Sequence, residues 1–175
     1  MISKTLVCAV LAAFTCQLVS AEQKCQPENI EASTPTSRFQ IGENQTVTDP
    51  LTGLMWKTCL EGKTGAACEE GEASMLTWGA TLLHLPQVNI DGGFAGYTDW
   101  RLPNIRELST LVEMQCAHPA INLEVFPNAP AVHVWTSSPY QFYTHYSWLV
   151  DFAYGAPTYD ERIREKGVRL VRDLK

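Results

Sequence analysis

Four cysteines lie downstream of an N-terminal segment typical of export, and their pairing restricts the fold more than any other feature of the sequence. An even number of cysteines in an exported chain indicates two disulfides, and four cysteines permit three pairings. Cys59 and Cys68 enclose a loop of small residues that can close on itself, which leaves Cys25 to pair with Cys116. A zinc site is the alternative, but the sequence contains no CxxC pair. We therefore predict two disulfides and no metal.

The first 21 residues have the three parts of a signal peptide. Lys4 supplies the positive charge, residues 5–19 form the apolar stretch, and residues 19–21 (VSA) make a small-residue cleavage site. We predict cleavage after Ala21 and export to the periplasm or to the cell exterior. The predicted organisation is a signal peptide at 1–21, a polar N-terminal arm at 22–37 and one domain at 38–175.

The composition predicts a folded domain that does not bind nucleic acid. The 175 residues are 45% hydrophobic and 18% charged, which is too apolar for a disordered chain, and no apolar run suits a mature membrane span. Loss of Lys4 leaves 12 basic residues against 19 acidic ones, a net charge of −7. Because such a protein is repelled by nucleic acid and by anionic membrane surfaces, we expect neither as a partner.

Short strands are predicted near both ends of the domain. Residues 46–48 and 54–56 are joined by a turn in which Pro50 and Gly53 supply hairpin chemistry. Alternation over residues 146–154 places Trp148, Val150 and Phe152 on a buried face and Ser147 on the opposite one. The remaining predicted strands cover residues 38–41, 134–137 and 167–172.

Two helices are predicted between these strands. The first covers residues 74–85 and ends at Pro86. The second begins after Asn104, which forms a capping box with Glu107, and its apolar face continues to Cys116. Strands at both ends with helices between them predict a single α+β domain whose termini pair. Four tryptophans are expected in its core: Trp56, Trp78, Trp100 and Trp148.

Five segments together resemble the Legionella collagen-like protein C-terminal domain (Lcl_C) family. They are residues 48–56 (TDPLTGLMW), 99–108 (DWRLPNIREL), 135–139 (WTSSP), 148–152 (WLVDF) and 168–172 (VRLVR). In this order and spacing the resemblance covers residues 34–173. The positions of Cys59, Cys68 and Cys116 are similar to those in a secreted, four-cysteine bacterial branch of that family.

The resemblance implies a C-type-lectin-like fold, in which two helices flank short antiparallel sheets and the later strands and loops present a ligand surface. The best-known domain of the family is the tip of a trimeric adhesin that binds sulfated polysaccharides. This sequence contains no Gly-X-Y run of a collagen-like stalk. Oligomer formation is therefore left open.

Nine of the sixteen aromatic residues after residue 21 lie within residues 135–159, which is more than a core can absorb. Tyrosine and histidine combine a large contact area with a hydrogen-bonding tip, as paratopes and sugar sites require. We predict an exposed ligand-binding cluster in the loop after Pro139 and in a second loop after Gly155. The alternative is a twisted hairpin with partly exposed tyrosines. The predicted ligand-binding residues are Tyr140, Tyr143, His145, Tyr159 and Arg162.

Residues 161–175 carry a net charge of +3, and Arg162 opens this segment. Beside the tyrosines, these cations predict an anionic glycan as ligand and a salt-sensitive affinity. The alternative is a solvated strand edge whose charges discourage pairing with other edges.

The leading functional hypothesis is an exported, non-catalytic binding module that recognises a surface glycan or protein. A structural or accessory subunit of an envelope or appendage assembly is the second hypothesis, and an exported enzyme is the third. The enzyme would need folding to unite His133, His145 and Asp151, since no GxSxG or HExxH motif is present. Asp91, Asp99 and Asp151 are candidate calcium ligands, but no lectin-type Glu-Pro-Asn motif accompanies them. We predict no cofactor.

Overall fold

A computed structural model describes residues 22–174, so the predicted signal peptide lies outside the described residues. Within that range the chain forms nine β-strands, two α-helices and one 3-10 helix. The strands pair in antiparallel sheets of two, four and three members, which confirms the predicted α+β class. Neither α-helix in that range has the length and apolar character needed to cross a membrane.

Strands from the early and late parts of the chain meet in a four-stranded sheet, which confirms the predicted pairing of the termini. Its members, in spatial order, are β2 (Gln40–Ile41), β3 (Thr46–Asp49), β4 (Leu54–Lys57) and β9 (Val171–Asp173). The first predicted strand is shorter than expected because Thr36–Arg38 form the 3-10 helix. The last is also shorter, although Val168 and Leu170 before it are fully buried.

A buried ion pair fixes the turn between β3 and β4. Arg38 binds the carboxylate of Asp49, which also accepts hydrogen bonds from the Leu51 N–H at 3.1 Å and the Thr52 hydroxyl at 2.8 Å. Burial acts to raise the pKa of Asp49, but the hydrogen bonds from Arg38 and Thr52 prevail and lower it. Gly53 closes the turn at a φ of +70°, which side chains rarely allow.

Residues 22–37 are attached to the body of the domain. The strand β1 (Lys24–Cys25) pairs with β5 (Cys116–Ala117), and a disulfide joins Cys25 to Cys116 across that pair. The structure also contains the second predicted disulfide, Cys59–Cys68, whose two cysteines are buried. Both bridges therefore match the predicted pairing.

The buried carboxylate of Glu113 holds a second stretch of the N-terminal arm. It accepts hydrogen bonds from the backbone N–H groups of Ser33 at 3.0 Å, Thr34 at 2.8 Å and Gln115 at 3.1 Å. Burial acts to raise the pKa of Glu113, but the bonds from Gln115, Thr34 and Ser33 lower it overall. The carboxylate is thus ionised at neutral pH and ties two distant segments together.

The first helix, α1 (Trp78–Val88), begins and ends later than predicted. Thr77 caps it by accepting a hydrogen bond from the Ala80 N–H at 3.2 Å, while Leu76 pairs instead with Lys166. The prediction that Pro86 ends the helix is wrong. Pro86 lies in the last turn, and its carbonyl accepts from the Asn89 N–H at 3.2 Å, so the helix continues to Val88.

The second helix, α2 (Ile105–Ser109), has the predicted capping box but is much shorter than predicted. Both reciprocal bonds between Asn104 and Glu107 are present. After Ser109 the backbone N–H groups of residues 110–112 bond three residues back, and the Glu113 N–H then donates to the Ala120 carbonyl at 3.1 Å, so the helix does not continue. Leu111 and Val112 are nevertheless buried, and the half-cystine expected at the helix end lies on β5.

A strand replaces the loop that was predicted after Gly155 and completes a three-stranded sheet. Its members, in spatial order, are β6 (His133–Pro139), β7 (Tyr146–Asp151) and β8 (Ala156–Glu161). Gly155, with a φ of +75°, makes the tight turn from β7 to β8. Pro157 does not break β8, because an edge strand tolerates a residue without an N–H.

Core clusters pack against both faces of this sheet near Leu149 and Val150, so burial does not alternate along β7 as predicted. Val150 belongs to one core cluster, whereas Leu149 and Trp135 belong to the other. Of the predicted buried face, Val150 and Phe152 are buried but Trp148 is partly exposed, and Ser147, predicted on the opposite face, is fully buried. Of the four tryptophans expected in the core, Trp56 and Trp100 are buried, while Trp78 and Trp148 are only partly so.

Candidate functional site

Aromatic rings gather on one face of the three-stranded sheet, around Tyr140. The Tyr140 ring stacks on that of Tyr159, with centroids 4.0 Å apart, and meets the Trp148 ring edge-on at 5.2 Å. It also contacts the rings of Phe142 at 5.5 Å and Tyr143 at 6.1 Å. We call this group the aromatic surface. Its members are Tyr140, Phe142, Tyr143, His145, Tyr146, Trp148 and Tyr159.

Strand register and a closed loop position these rings. Trp148 on β7 lies opposite Tyr159 on β8, which places both side chains on the same face. The loop between β6 and β7 is closed by two backbone bonds, from the Tyr140 N–H to the Tyr146 carbonyl at 3.2 Å and from the Tyr146 N–H to the Tyr143 carbonyl at 3.0 Å. The aromatic surface is therefore built on hydrogen-bonded backbone.

The structure brings four of the five predicted site residues together. Tyr143 and Tyr159 are 55% and 43% exposed, His145 is exposed, and Tyr140 is half-buried between its neighbours. The rings of Tyr143 and His145 lie 6.2 Å apart. Large aromatic groups exposed side by side in this way mark interaction sites more often than isolated apolar residues do.

Arg162, the fifth predicted residue, does not join the aromatic surface. Its guanidinium lies 4.2 Å from the centre of the Trp78 ring, and its Nε donates to the Ser147 hydroxyl at 2.8 Å. Ser147 lies on the face of β7 opposite to Trp148, because successive side chains of a strand alternate. Arg162 therefore lies on the other side of the sheet from the tyrosines.

The pKa values of two tyrosines on the aromatic surface are raised above that of a free tyrosine. Partial burial, and then a hydrogen bond with Tyr159, raise the pKa of Tyr140. Partial burial, and then the negative charges of Glu161 and Asp160, raise the pKa of Tyr146. Both side chains are neutral hydroxyls at physiological pH and can donate as well as accept hydrogen bonds.

An apolar groove extends the aromatic surface past Trp148. It has a volume of about 530 Å³ and lies between α2 and β8, lined by Ile105, Arg106, Ser109, Trp148 and Pro157. This volume falls within the roughly 300–1,000 Å³ that small-ligand clefts occupy. The groove and the rings share Trp148, so a ligand on the rings can continue into the groove.

The family model described as the Lcl C-terminal domain matches residues 45–172, which is most of the chain. The chain belongs to that family. Its sequence matches no curated protein.

In this Lcl C-terminal domain, three of the cations in the positively charged segment, residues 161–175, are buried or paired with other groups of the protein. Arg169 is buried, where its guanidinium donates to the Lys57 carbonyl at 2.9 Å, and burial lowers its pKa to about 9. Arg172 is buried against Asp99 at 2.7 Å, and Lys166 binds Asp160 at 2.6 Å. These cations therefore form neither an anion-binding patch nor a solvated strand edge.

The histidine and carboxylate set considered for catalysis is only partly assembled. His133 lies 3.7 Å from Asp151, whereas His145 belongs to the aromatic surface. Within residues 22–174, no group of three or more His, Cys, Asp or Glu side chains is placed to hold a metal ion. Of the candidate calcium ligands, Asp99 is bound by Arg172.

The prediction from sequence missed Tyr146, Trp148 and the groove. Trp148 was assigned to the core because alternation along β7 suggested one buried face. The signal available in this part of the sequence is Pro157, because a proline within a strand favours the edge of a sheet. Ile105 at the start of α2 carries no such signal, since its apolar character fits core and surface equally well.

Proposed function

We propose that the protein is an exported, non-catalytic binding module that recognises a surface glycan or protein through the aromatic surface. The observation that carries this proposal is the exposure of Tyr143 and Tyr159 beside the stacked Tyr140 ring. Rigid tyrosines lose little conformational entropy on binding and offer apolar area together with a polar tip. A periplasmic or cell-surface location and a C-type-lectin-like fold are parts of the same proposal.

The edge of the sheet favours recognition by side chains over recognition by strand addition. Pro157 on the edge strand β8 has no N–H to offer a passing peptide. The Glu161 N–H donates to the Asp160 carboxylate at 2.8 Å, and the Glu161 carbonyl accepts from the Arg164 N–H at 2.9 Å. Since a strand-adding ligand needs a row of free backbone groups, a partner gains more from the rings than from this edge.

A structural or accessory subunit of an envelope or appendage assembly is a second candidate. Phe142 favours it, because this side chain is 69% exposed and has no polar atom to match a sugar hydroxyl. An exposed phenyl ring of this kind suits an apolar pocket on a protein partner. The two candidates share the aromatic surface and differ in the chemistry of its ligand.

A glycan array probed with the exported, oxidised protein tests the proposal. The matched variants are Tyr143→Ala and Tyr154→Ala, since Tyr154 is also an exposed tyrosine, at 70%, but contacts His118 away from the aromatic surface. We expect glycan binding that Tyr143→Ala abolishes and Tyr154→Ala preserves. No glycan binding, together with a crosslinked envelope protein that depends on Tyr143, would favour the second candidate. Binding that is independent of Tyr143 would refute both.

A further inference from the structure

The aromatic surface carries little net charge, and this limits the chemistry of its ligand. Glu161, opposite Tyr146 in the sheet, is paired with Arg164 at 3.6 Å. Arg162 is held against Trp78 on the other face. Arg106 is exposed and lies across the groove from Trp148, at the rim of the surface.

The charges nearest the rings disfavour an anion. Glu161 and Asp160 are close enough to Tyr146 for their negative charge to contribute to its raised pKa. A sulfate or carboxylate placed on Tyr146 would meet the Glu161 carboxylate on the same face, and like charges at close range repel, whereas Asp160 lies opposite Ser147 on the other face and binds Lys166. The salt-sensitive affinity expected from the sequence required Arg162 among the tyrosines, where the structure does not place it.

A hexose ring without charged substituents fits this surface better. Its C–H face can lie on an exposed aromatic ring, and its hydroxyl edge can exchange hydrogen bonds with tyrosine hydroxyls, which both donate and accept. Tyr143 and Tyr159 supply exposed rings and hydroxyls, and the groove beside Trp148 has room for a neighbouring ring of the same chain.

We infer that the aromatic surface binds uncharged hexose rings of a polysaccharide by stacking, and that it requires no sulfate or carboxylate group on the ligand. This inference rests on the proposed function and names the ligand class of the same site. In this arrangement the rings of Tyr143, Tyr159 and Trp148 contact the C–H faces of the sugar rings. It gives Arg162 no contact with the ligand.

The test compares neutral carbohydrates with a charged one, and it includes dextran and its sulfated form as a matched pair. Cellohexaose, mannohexaose and dextran serve as neutral probes and dextran sulfate as the charged one, each titrated against the exported protein at 50 and 500 mM NaCl. We expect binding of at least one neutral probe that changes by less than about twofold with salt, because no ion pair is screened. Tyr159→Ala should weaken that binding about tenfold or more, whereas Arg162→Gln and Tyr154→Ala should leave it unchanged.

Other outcomes overturn the inference in distinguishable ways. Binding of dextran sulfate alone, with an affinity that falls about tenfold with salt and is still lost in Tyr159→Ala, would refute neutral stacking and keep the proposed binding surface. Loss of binding in Arg162→Gln would likewise refute neutral stacking. Failure of all four polymers to bind would also refute it. Binding that Tyr143→Ala and Tyr159→Ala both leave intact would refute the proposed function as well.

Discussion

The four-stranded sheet and the aromatic surface place their large side chains in opposite ways. In and around the four-stranded sheet, Trp56 is buried, and Asp49 and Arg172 are buried in ion pairs. On the aromatic surface, Tyr143 and Tyr159 are exposed to solvent, and both of their rings contact the ring of Tyr140. The side chains of the first region stabilise the fold, whereas those of the second region are available to a ligand.

This difference teaches that stability and recognition reside in separate residues of one small domain. Buried side chains lose packing and hydrogen bonds when truncated, whereas exposed rings lose little in the unbound protein. Substitutions should therefore divide into those that destabilise the fold and those that spare it. The expectations below follow that order, from the largest effect on stability to none.

Trp100→Ala should cause the largest loss of stability. The indole is buried, its N–H donates to the Phe94 carbonyl at 2.9 Å, and Asn89 bonds both backbone groups of Trp100. Truncation leaves a large cavity and should cost about 3–5 kcal/mol in the free energy of unfolding. Urea unfolding followed by circular dichroism measures it. A loss below about 1 kcal/mol would show that the scaffold does not depend on this residue.

Removal of the Cys59–Cys68 bridge should have the next largest effect. The bridge closes a loop with a sequence separation of 9, and its loss in a Cys59→Ser, Cys68→Ser variant should cost about 2–4 kcal/mol because the unfolded chain gains freedom. The same unfolding experiment applies. Peptide mapping of the unreduced wild type provides the control, and a Cys59–Cys116 peptide would contradict the pairing.

Acid should weaken the attachment of the N-terminal arm through Glu113. The folded pKa of Glu113 lies below its ordinary value of 4.5, so its contribution is complete above that pH and is lost as the pH falls through the lowered folded value. Glu113→Gln should remove that contribution, about 1–3 kcal/mol, at neutral pH and flatten the acid limb of the stability profile. Unfolding free energies between pH 7 and pH 3 test both. An unchanged acid limb would show that Glu113 contributes nothing.

Tyr143→Ala should leave stability unchanged within about 0.5 kcal/mol. More than half of the side chain is exposed, and its ring contacts lie within the aromatic surface. Thermal unfolding beside Trp100→Ala and Tyr154→Ala measures the difference. If Tyr143→Ala and Trp100→Ala melted alike, the separation of scaffold from binding surface would fail.

The sequence predicted the features that local chemistry determines. The turn around Gly53, the capping box of Asn104 and the closure of the Cys59 loop each depend on residues a few positions apart. The tyrosine cluster could be predicted because Tyr140, Tyr143 and His145 share one loop.

The remaining features depend on which distant segment packs against each residue. After α2 the chain leaves the helical path, and Glu113 bonds Ala120 and the N-terminal arm, which are distant contacts that the sequence around Leu111 does not reveal. Arg162 lies on the far side of the sheet because Trp78, 84 positions earlier, offers its ring there. Trp148 is partly exposed, although Val150, two residues later on the same face of β7, is packed into a core cluster.

The most direct test of the account is to map the bound ligand on the backbone. Amide chemical shifts of the exported, isotope-labelled protein would be recorded with and without the glycan that binds it best on the array. We predict changes confined to residues 140–148 and 157–161 and to the start of α2, with the four-stranded sheet unaffected. Changes centred on residues 162–172, or on the four-stranded sheet, would contradict the claim that the aromatic surface is where this protein binds.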